Sequence, residues 1–326
     1  MAWYLGIDTS NYTTSAALYQ PDQNKIIQEK KLLPVEKGSL GLRQSDAVFA
    51  HVKQLSGVLQ GVMEQVTEPL AGIGVSVRPR DVEGSYMPCF LTGELAARSI
   101  GAALHLPVSV FSHQAGHIAA ALFSAGRLNW MKGSFAAFHL SGGTTECLLV
   151  QPGTETPFQI ALFAKSLDLK AGQAVDRVAA MLGLPFPGGR ELEALALQAE
   201  KSFRIKPAMQ GKNCSLSGIE NRCAAMVKRG CPPEETARFC LDSILAAVER
   251  MTEELLKAYP GIPVIYAGGV MGNSILQKGL AKYGCFAEPA FSSDNGAGIA
   301  ILASAKGQGG KNDTGSHYSK PVKPLC

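Results

Sequence analysis

One strand–turn–strand unit at residues 134–151 carries the strongest indication of architecture, and from Phe135 it reads FAAFHLSGGTTECLLVQ. Two apolar runs flank a turn of small residues, Ser141 to Thr145, as in antiparallel neighbouring strands. The same order occurs near the amino terminus, where we predict a strand at 4–9, a turn of hydroxyl and amide residues, and a strand at 15–19. The repetition predicts two copies of one unit.

The rest of the chain alternates between helical periodicity and short buried runs, which is typical of an α/β protein. Helices are predicted at 45–66, 92–104, 113–122, 171–182, 236–259 and 273–283, and another begins at Glu191. Ser45 or Asp46 is the predicted cap of the first helix. A last helix is predicted from a cap at Asp294 or Asn295 to about Ala305. Further strands are predicted at 71–77, 107–111 and 262–267. We expect an amino-terminal lobe at 1–133, a carboxy-terminal lobe at 134–305 with an irregular basic insert near 201–230, and a flexible basic tail at 306–326.

Composition excludes several classes of protein. The net charge of +4 over 326 residues is too small for a protein that coats nucleic acid by charge alone. No apolar run approaches the roughly 18 residues of a membrane helix, and the first residues lack the basic region of a signal peptide. The eight cysteines form no Cys-x-x-Cys pair. These features predict a cytoplasmic protein that does not enter a membrane.

His113 and His117 are four residues apart, so on a helix both imidazoles lie on one face at metal-ligand spacing. Such a pair can equally be structural. Four of the six histidines lie within residues 105–139, which favours a metal site. The Glu of the His-Glu-x-x-His protease motif is replaced by Gln114, so a metalloprotease is disfavoured. A third ligand, a carboxylate at a loop tip, would complete the site.

Three other features have both a structural and a functional interpretation. The turn Ser141-Gly142-Gly143 could donate backbone amides to a phosphate or be an ordinary hairpin turn. Asp176 could lie on an exposed helix face or contact a ligand hydroxyl group. Residues 201–229 contain seven Lys and Arg against one Glu, which is either a solvated face or a landing site for phosphodiesters.

In order, these segments resemble the motifs of one family. The matching stretches are Leu5–Ser10, His113-x-x-x-His117, Leu140–Thr145, Ala171–Arg177 continuing to Gly183–Gly189, Ser215–Gly218, Ala267–Val270 with Asn273, and Ser293–Ala297. They are collinear over residues 4–305. The chain is similar to the tRNA threonylcarbamoyladenosine synthase family, formerly described as glycoproteases, as a divergent paralogue.

The resemblance implies a two-lobed fold of the actin, Hsp70 and sugar-kinase type around a nucleotide cleft. It implies transfer of threonylcarbamoyl from threonylcarbamoyl-AMP to N6 of adenosine 37 in tRNA, with a companion paralogue and an ATPase as possible partners. By position, His113, His117 and Asp294 are the implied ligands of a divalent metal, Fe²⁺ or Zn²⁺. The implied adenine-nucleotide or acyl-adenylate ligand falls on His139, Leu140, Ser141, Gly142, Gly143, Asp176, Gly189 and Asn273.

The chain departs from the family pattern close to these motifs. Tyr12-Thr13 replaces an acidic pair, and Arg78-Pro79-Arg80 replaces Gly-Pro-Gly. Thr144 stands where the family has His, and Ser112 stands where it has His or Asn. Losing carboxylates and gaining arginines favours a more anionic ligand or a different acceptor. The alternatives are therefore another carbamoyl- or phosphoryl-transfer acceptor, or a non-catalytic subunit of the modification complex.

Overall fold

The computed structural model describes residues 2–10, 12–34, 42–66, 68–154, 156–291 and 296–309. The strands are β1 (Trp3–Asp8), β2 (Thr13–Gln20), β3 (Lys25–Leu32), β4 (Leu70–Arg78), β5 (Val108–Ser112), β6 (Phe135–Leu140), β7 (Thr145–Pro152), β8 (Phe158–Lys165), β9 (Ala208–Gln210), β10 (Asn213–Ser215), β11 (Val264–Ala267) and β12 (Cys285–Phe286). The α-helices are α1 (Gln44–Met63), α2 (Phe90–Leu104), α3 (His113–Ser124), α4 (Ala171–Met181), α5 (Gly189–Ala196), α6 (Ser217–Lys228), α7 (Pro233–Ala258), α8 (Ser274–Leu280) and α9 (Ala297–Gly309).

Two five-stranded sheets share one topology. The first has the order β3-β2-β1-β4-β5 and the second, read from its other end, has the equivalent order β8-β7-β6-β11-β12. In each sheet the first three strands of the lobe pair antiparallel and the later two add in parallel. The predicted α/β architecture built from a repeated unit is therefore confirmed.

Helices α3 and α9 join the two lobes. Their buried residues form one apolar cluster with strands of both sheets. The helices cross so closely that a Cβ atom at Gly298 would overlap the carbonyl oxygen of Gly116, so glycine is needed there. Residues 296–304 are buried throughout, as expected of a helix that is apolar on every side. This packing fixes the helix that begins with His113 between the lobes.

The expectation of an irregular segment at 201–230 holds for residues 201–207, which form no helix or strand, but it is wrong for most of residues 208–228. Residues in this range form the β9–β10 hairpin and α6. Ile219, Cys223 and Met226 are the buried residues of α6 and recur at helical spacing. The seven basic residues made this narrow apolar stripe hard to recognise. The segment is therefore ordered structure with a basic outer surface.

Element ends and edge strands account for the other differences. Strands β3, β8 and β12 were not predicted, because the longer two carry charged or exposed positions and the third has two residues. Arg43 precedes α1 without a side-chain cap, so capping by Ser45 or Asp46 is wrong. Helix α8 ends at Leu280, and α9 continues to Gly309, while Asp294, Asn295 and residues 310–326 lie outside the described residues. No helix within the described ranges is long and apolar enough to cross a membrane.

Candidate active site

A cavity of about 420 Å³ lies between the lobes, where the ends of β1 and β6 meet the start of α3. It brings together the predicted His pair and the predicted Ser-Gly-Gly turn. Its lining residues are Ser10, Pro79, Arg80, Met87, Phe90, His113, Gln114, His117, His139, Ser141, Gly143 and Thr144. Residues from four of the matched or departing motifs therefore share one cleft.

The imidazoles of His113 and His117 converge on the first turn of α3. Their Nε2 atoms are 2.8 Å apart, and the ring centroids are separated by 4.3 Å. The His117 ring in turn lies 5.1 Å from that of His139, which belongs to the second lobe. Ser112 begins the helix, since its hydroxyl oxygen accepts a hydrogen bond from the Ala115 amide. The helical spacing places His113 and His117 together, and His139 on β6 extends them to a row of three histidines across the cleft.

Asp8 fixes the orientation of His113. Its Oδ2 atom lies 2.9 Å from His113 Nδ1, and a carboxylate accepts a hydrogen bond, so Nδ1 carries the proton. The lone pair of neutral His113 is then on Nε2, the atom that faces His117. Asp8 is 1% exposed, and the hydroxyl groups of Ser10 and Ser76 donate to its two oxygens. Hydrogen bonds to a buried carboxylate compensate for its lost hydration.

The donor set suits a divalent transition metal. Imidazole nitrogen is a ligand for zinc and iron, and an imidazole ligand usually donates its other N–H to a carboxylate or carbonyl oxygen. His113 has this arrangement with Asp8. Within the described ranges no three His, Cys, Asp or Glu side chains form a cluster able to hold a metal. Asp294, the implied third ligand, lies outside those ranges.

The turn from Ser141 to Thr144 is held by two internal hydrogen bonds. The Ser141 amide donates to the Thr144 carbonyl oxygen at 2.8 Å, and the Thr144 amide donates to Ser141 Oγ at 3.1 Å. Gly142 and Gly143 are exposed, and neither amide donates to another group in the described part of the chain. A Cβ atom at Gly172, at the start of α4, would lie 2.6 Å from the Gly142 nitrogen. The turn therefore leaves two amides exposed, with Gly143 lining the cavity and Gly142 close to the start of α4.

Five predicted site residues do not line this cavity: Leu140, Gly142, Asp176, Gly189 and Asn273. Leu140 is fully buried in the core of the second lobe. Asp176 accepts a hydrogen bond from the Gly188 amide at 2.9 Å, which fastens α4 to the segment that leads to Gly189. Asn273 caps α8, because its Oδ1 accepts from the Ile275 and Leu276 amides. Asp176 therefore has a helix-to-loop hydrogen bond, and its contact with a ligand hydroxyl group stays a prediction.

The two arginines of the divergent Arg78-Pro79-Arg80 segment have different positions. Arg78 donates from Nε and Nη2 to Asp81, and it does not line the cavity. Arg80 lines the cavity and donates from Nη1 to Glu146 Oε1 at 2.9 Å. Sequence reasoning missed Glu146, because a lone Glu in an amphipathic strand is ordinarily solvated.

Thiol chemistry is not supported at this site. None of the seven described cysteines lines the cavity. Burial raises the pKa of the Cys214 thiol to about 11 and raises that of Cys147 further still. Both thiols are therefore protonated at neutral pH and behave as small apolar side chains.

The comparison with protein families agrees with this cleft. Residues 27–301 match the profile of the family described as TsaD, tRNA N6-adenosine threonylcarbamoyltransferase. The chain belongs to this family. Its name describes an acyltransferase, and the former protease description finds no support in the match.

Curated relatives of the family extend over nearly the whole chain. A tRNA N6-adenosine threonylcarbamoyltransferase of Thermus thermophilus is 29% identical over 94% of both chains. A probable bifunctional tRNA threonylcarbamoyladenosine biosynthesis protein of Methanothermobacter thermautotrophicus is 26% identical, over 91% of this chain and 54% of its own length. The TsaD-family match thus includes both lobes.

Solved structures support the fold alone. Full-length HypF in a phosphate- and nucleotide-bound form aligns with a TM-score of 0.59 and 12% identity, over 95% of this chain and 47% of that one. Component A of the (R)-2-hydroxyglutaryl-CoA dehydratase of Acidaminococcus fermentans aligns with a TM-score of 0.54 and 16% identity, over 94% of this chain and all of that one. A hexokinase of the ROK type from Thermus thermophilus aligns at 0.50 with 14% identity, over 94% of this chain and all of that one. The two-lobed kinase-like architecture expected for the TsaD family is confirmed.

Proposed function

We propose that this chain transfers a threonylcarbamoyl group from threonylcarbamoyl-AMP to N6 of adenosine 37 in tRNA, using one divalent metal ion. The observation that carries the proposal is the shared cavity of about 420 Å³, which joins the His113–His117 pair to the Ser141–Thr144 turn. The TsaD-family match supports the same chemistry. An acyl-adenylate needs a place for its phosphate beside a group that accepts developing negative charge.

The metal would be held by His113, His117 and Asp294, with Fe²⁺ or Zn²⁺ as the ions that suit imidazole nitrogen. Bound there, it would supply a Lewis acid for the phosphate or acyl oxygen. Asp8 contributes by keeping the proton of His113 on Nδ1, which leaves Nε2 available as a ligand. The chain's part in this step is to keep the two imidazoles aligned.

The Ser141–Thr144 turn would bind the anionic part of the substrate. The exposed amides of Gly142 and Gly143 are donors that need no reorganisation when charge develops. Their direction is set by the hydrogen bonds inside the turn and by the close contact with Gly172. Because the N6 amine of adenosine is a weak nucleophile, much of the acceleration is expected from holding it against the carbonyl carbon.

The basic strip of the second lobe is the proposed contact with tRNA. Lys201 pairs with Glu235, and Lys212 lies 4.3 Å from the ring centroid of Phe163. The other five have no carboxylate within ion-pair distance among the described residues: Arg204, Lys206, Arg222, Lys228 and Arg229. Lys206 and Arg222 also line a separate cavity of about 250 Å³. Exposed cations without a carboxylate partner, grouped in one segment, suit a phosphodiester backbone.

Charge reversal tests this surface. The double variant Lys228→Glu and Arg229→Glu should weaken binding of unmodified tRNA and reduce the dependence of affinity on salt, because about two phosphate contacts are lost. The control is Lys31→Glu on the exposed edge strand of the first lobe. Filter binding at low and at moderate salt provides the measurement. Equal affinity for wild type and both variants at every salt concentration would contradict this contact.

Transfer itself is tested with labelled threonylcarbamoyl-AMP and unmodified tRNA. The chain is assayed alone and with the companion paralogue and ATPase, which we propose as its partners. Wild type should label tRNA, and His113→Ala should reduce labelling by roughly two orders of magnitude or more, as for loss of an electrophilic group. A folded wild type that binds AMP but never labels tRNA would favour another acceptor. Equal labelling by wild type and His113→Ala would contradict a role for a metal held by His113.

A further inference from the structure

Arg80 connects the two lobes beside the candidate active site. It follows β4 in the first lobe, while its partner Glu146 lies on β7 of the second. Glu146 is directly opposite His139 in the β6–β7 register. The ion pair therefore places the Arg80 guanidinium next to the strand that leads into the Ser141–Thr144 turn.

The charged side chain that lines the cavity is positive. Among its lining residues, all of which lie in the described ranges, Arg80 is the one with a permanent charge, and none is a carboxylate. The remaining polar groups are three histidines, Gln114, hydroxyl groups and the backbone of the turn. A permanent cation beside exposed amides, with no carboxylate among the lining residues, suits an anionic ligand.

Arg80 retains hydrogen-bonding capacity after it pairs with Glu146. A guanidinium has five N–H donors, and one nitrogen, Nη1, contacts Glu146. The side chain is 42% exposed, so it is accessible from the cavity that it lines. Arg78, two residues earlier, instead directs both Nε and Nη2 to Asp81. The neighbouring arginines therefore form a natural pair of test and control.

Glu146 has the properties of an anchor. It is 7% exposed, and its Oε2 atom is buried with no hydrogen-bond partner among the described residues. Arg80 is the cation that it contacts. A buried carboxylate is costly unless it is paired, so this contact holds the guanidinium in place and limits the conformations open to Arg80.

We propose that Arg80 is a phosphate-binding residue that selects adenylates over uncharged nucleosides, and that Glu146 is the residue that positions it. The inference rests on the proposed function for its ligand class, an acyl-adenylate whose phosphate lies on the Ser141–Thr144 turn. Planar guanidinium groups suit phosphate because they can donate two parallel hydrogen bonds. Arg80 then supplies a positive charge that is missing from the Gly-Pro-Gly pattern expected for the family at this position.

The test is calorimetric binding of AMP, adenosine and inorganic pyrophosphate to the full chain. Wild type should bind AMP more tightly than adenosine. Arg80→Ala should weaken AMP and pyrophosphate by about ten- to a hundredfold, the usual range for a charged hydrogen bond, and leave adenosine within about twofold. Arg80→Lys should retain part of the affinity for AMP, and Arg78→Ala should match wild type. Glu146→Gln should weaken AMP less than Arg80→Ala does.

Each contrary result has a distinct meaning. If Arg80→Ala and Arg78→Ala bind AMP equally, Arg80 does not bind phosphate, although the nucleotide site stands. If Arg80→Ala loses AMP and adenosine in the same proportion, its role is structural and the proposal fails. Pyrophosphate binding that depends on Arg80, without AMP binding by wild type, supports the anion site but removes the adenylate from the proposed function. Wild type that binds neither anion overturns the proposal, and thermal unfolding identifies any variant that has not folded.

Discussion

The connection between β1 and β2 and the connection between β6 and β7 occupy equivalent positions in two equivalent sheets, yet they present opposite chemistry. In the first lobe, Asp8 is buried beneath hydroxyl groups and contacts His113. In the second, Ser141 and Thr144 close a turn whose glycine amides are exposed. One connection supports groups that suit a cation, and the other presents groups that suit an anion.

The difference shows how a duplicated fold can build a site with two functions. Both connections meet at α3, which packs between the lobes through its close contact with α9. The sheet topology only brings the two strand ends together. The chemistry comes from the last residue of each strand and the residues just after it. Asp8 ends β1 where Leu140 ends β6, and the hydroxyl groups that follow Asp8 correspond to a turn with two glycines in the second lobe.

The largest effect is expected from removing the acid behind the histidine. Asp8→Asn takes away the carboxylate that keeps the His113 proton on Nδ1, so affinity for Zn²⁺ should fall by about ten- to a hundredfold. The measurement is competition with a chromophoric chelator at neutral pH, with Gly143→Ala as a control on the other connection. Unchanged Zn²⁺ affinity in a folded Asp8→Asn protein would show that the first connection does not support a metal ligand.

A smaller effect is expected from disturbing the turn. Gly172→Ala puts a Cβ atom 2.6 Å from the Gly142 nitrogen, whereas a Cβ atom at Gly143 meets nothing within 4 Å. Overpacking of this kind usually costs about 1–3 kcal/mol, and a displaced turn should also bind AMP more weakly. Urea unfolding and AMP titration provide the two measurements. Equal behaviour of Gly172→Ala and Gly143→Ala would show that α4 does not support the turn.

The smallest effect concerns a carboxylate of the second lobe that serves stability. Burial alone would raise the pKa of Asp168, but hydrogen bonds from Ser217, Leu216 and Leu169 outweigh it and lower the pKa. A lowered pKa gives stability that is present above the unfolded value of about 3.9 and is lost as the pH falls through the folded value. Asp168→Ala should cost about 0.5–1 kcal/mol at neutral pH, as for a partly exposed helix cap.

Urea unfolding at neutral pH and at a pH below the unfolded value measures that contribution. The difference between wild type and Asp168→Ala should shrink at the lower pH, while Zn²⁺ affinity at neutral pH stays the same. A difference that grows on acidification would reverse the assigned sign.

The repeated unit could be predicted from sequence because strand alternation and small-residue turns are local signals. The His pair was also accessible, since helical spacing alone places His113 and His117 on one face. The start of a helix at Asn273 follows from the same kind of local pattern, and the structure shows this residue as the cap of α8. These features depend on residues close together in the chain.

Contacts between distant residues could not be predicted. Asp8 and His113 are separated by 105 positions, and Arg80 and Glu146 belong to different lobes. Nothing in the sequence near Arg78 and Arg80 distinguishes the arginine that pairs locally from the one that enters the cavity. The structure distinguishes them because Asp81, three positions after Arg78, pairs with that residue, whereas Glu146 of the other sheet pairs with Arg80.

The most direct test of the whole account is to locate the label on tRNA after incubation with labelled threonylcarbamoyl-AMP, by nuclease digestion and mass spectrometry of the nucleosides. A transcript in which adenosine 37 is replaced by guanosine is the matched control. The account predicts threonylcarbamoyl on N6 of adenosine 37 in the unmodified transcript and no label in the control. Label elsewhere on both transcripts, or none on either with folded protein, metal and the partner subunits present, would contradict it.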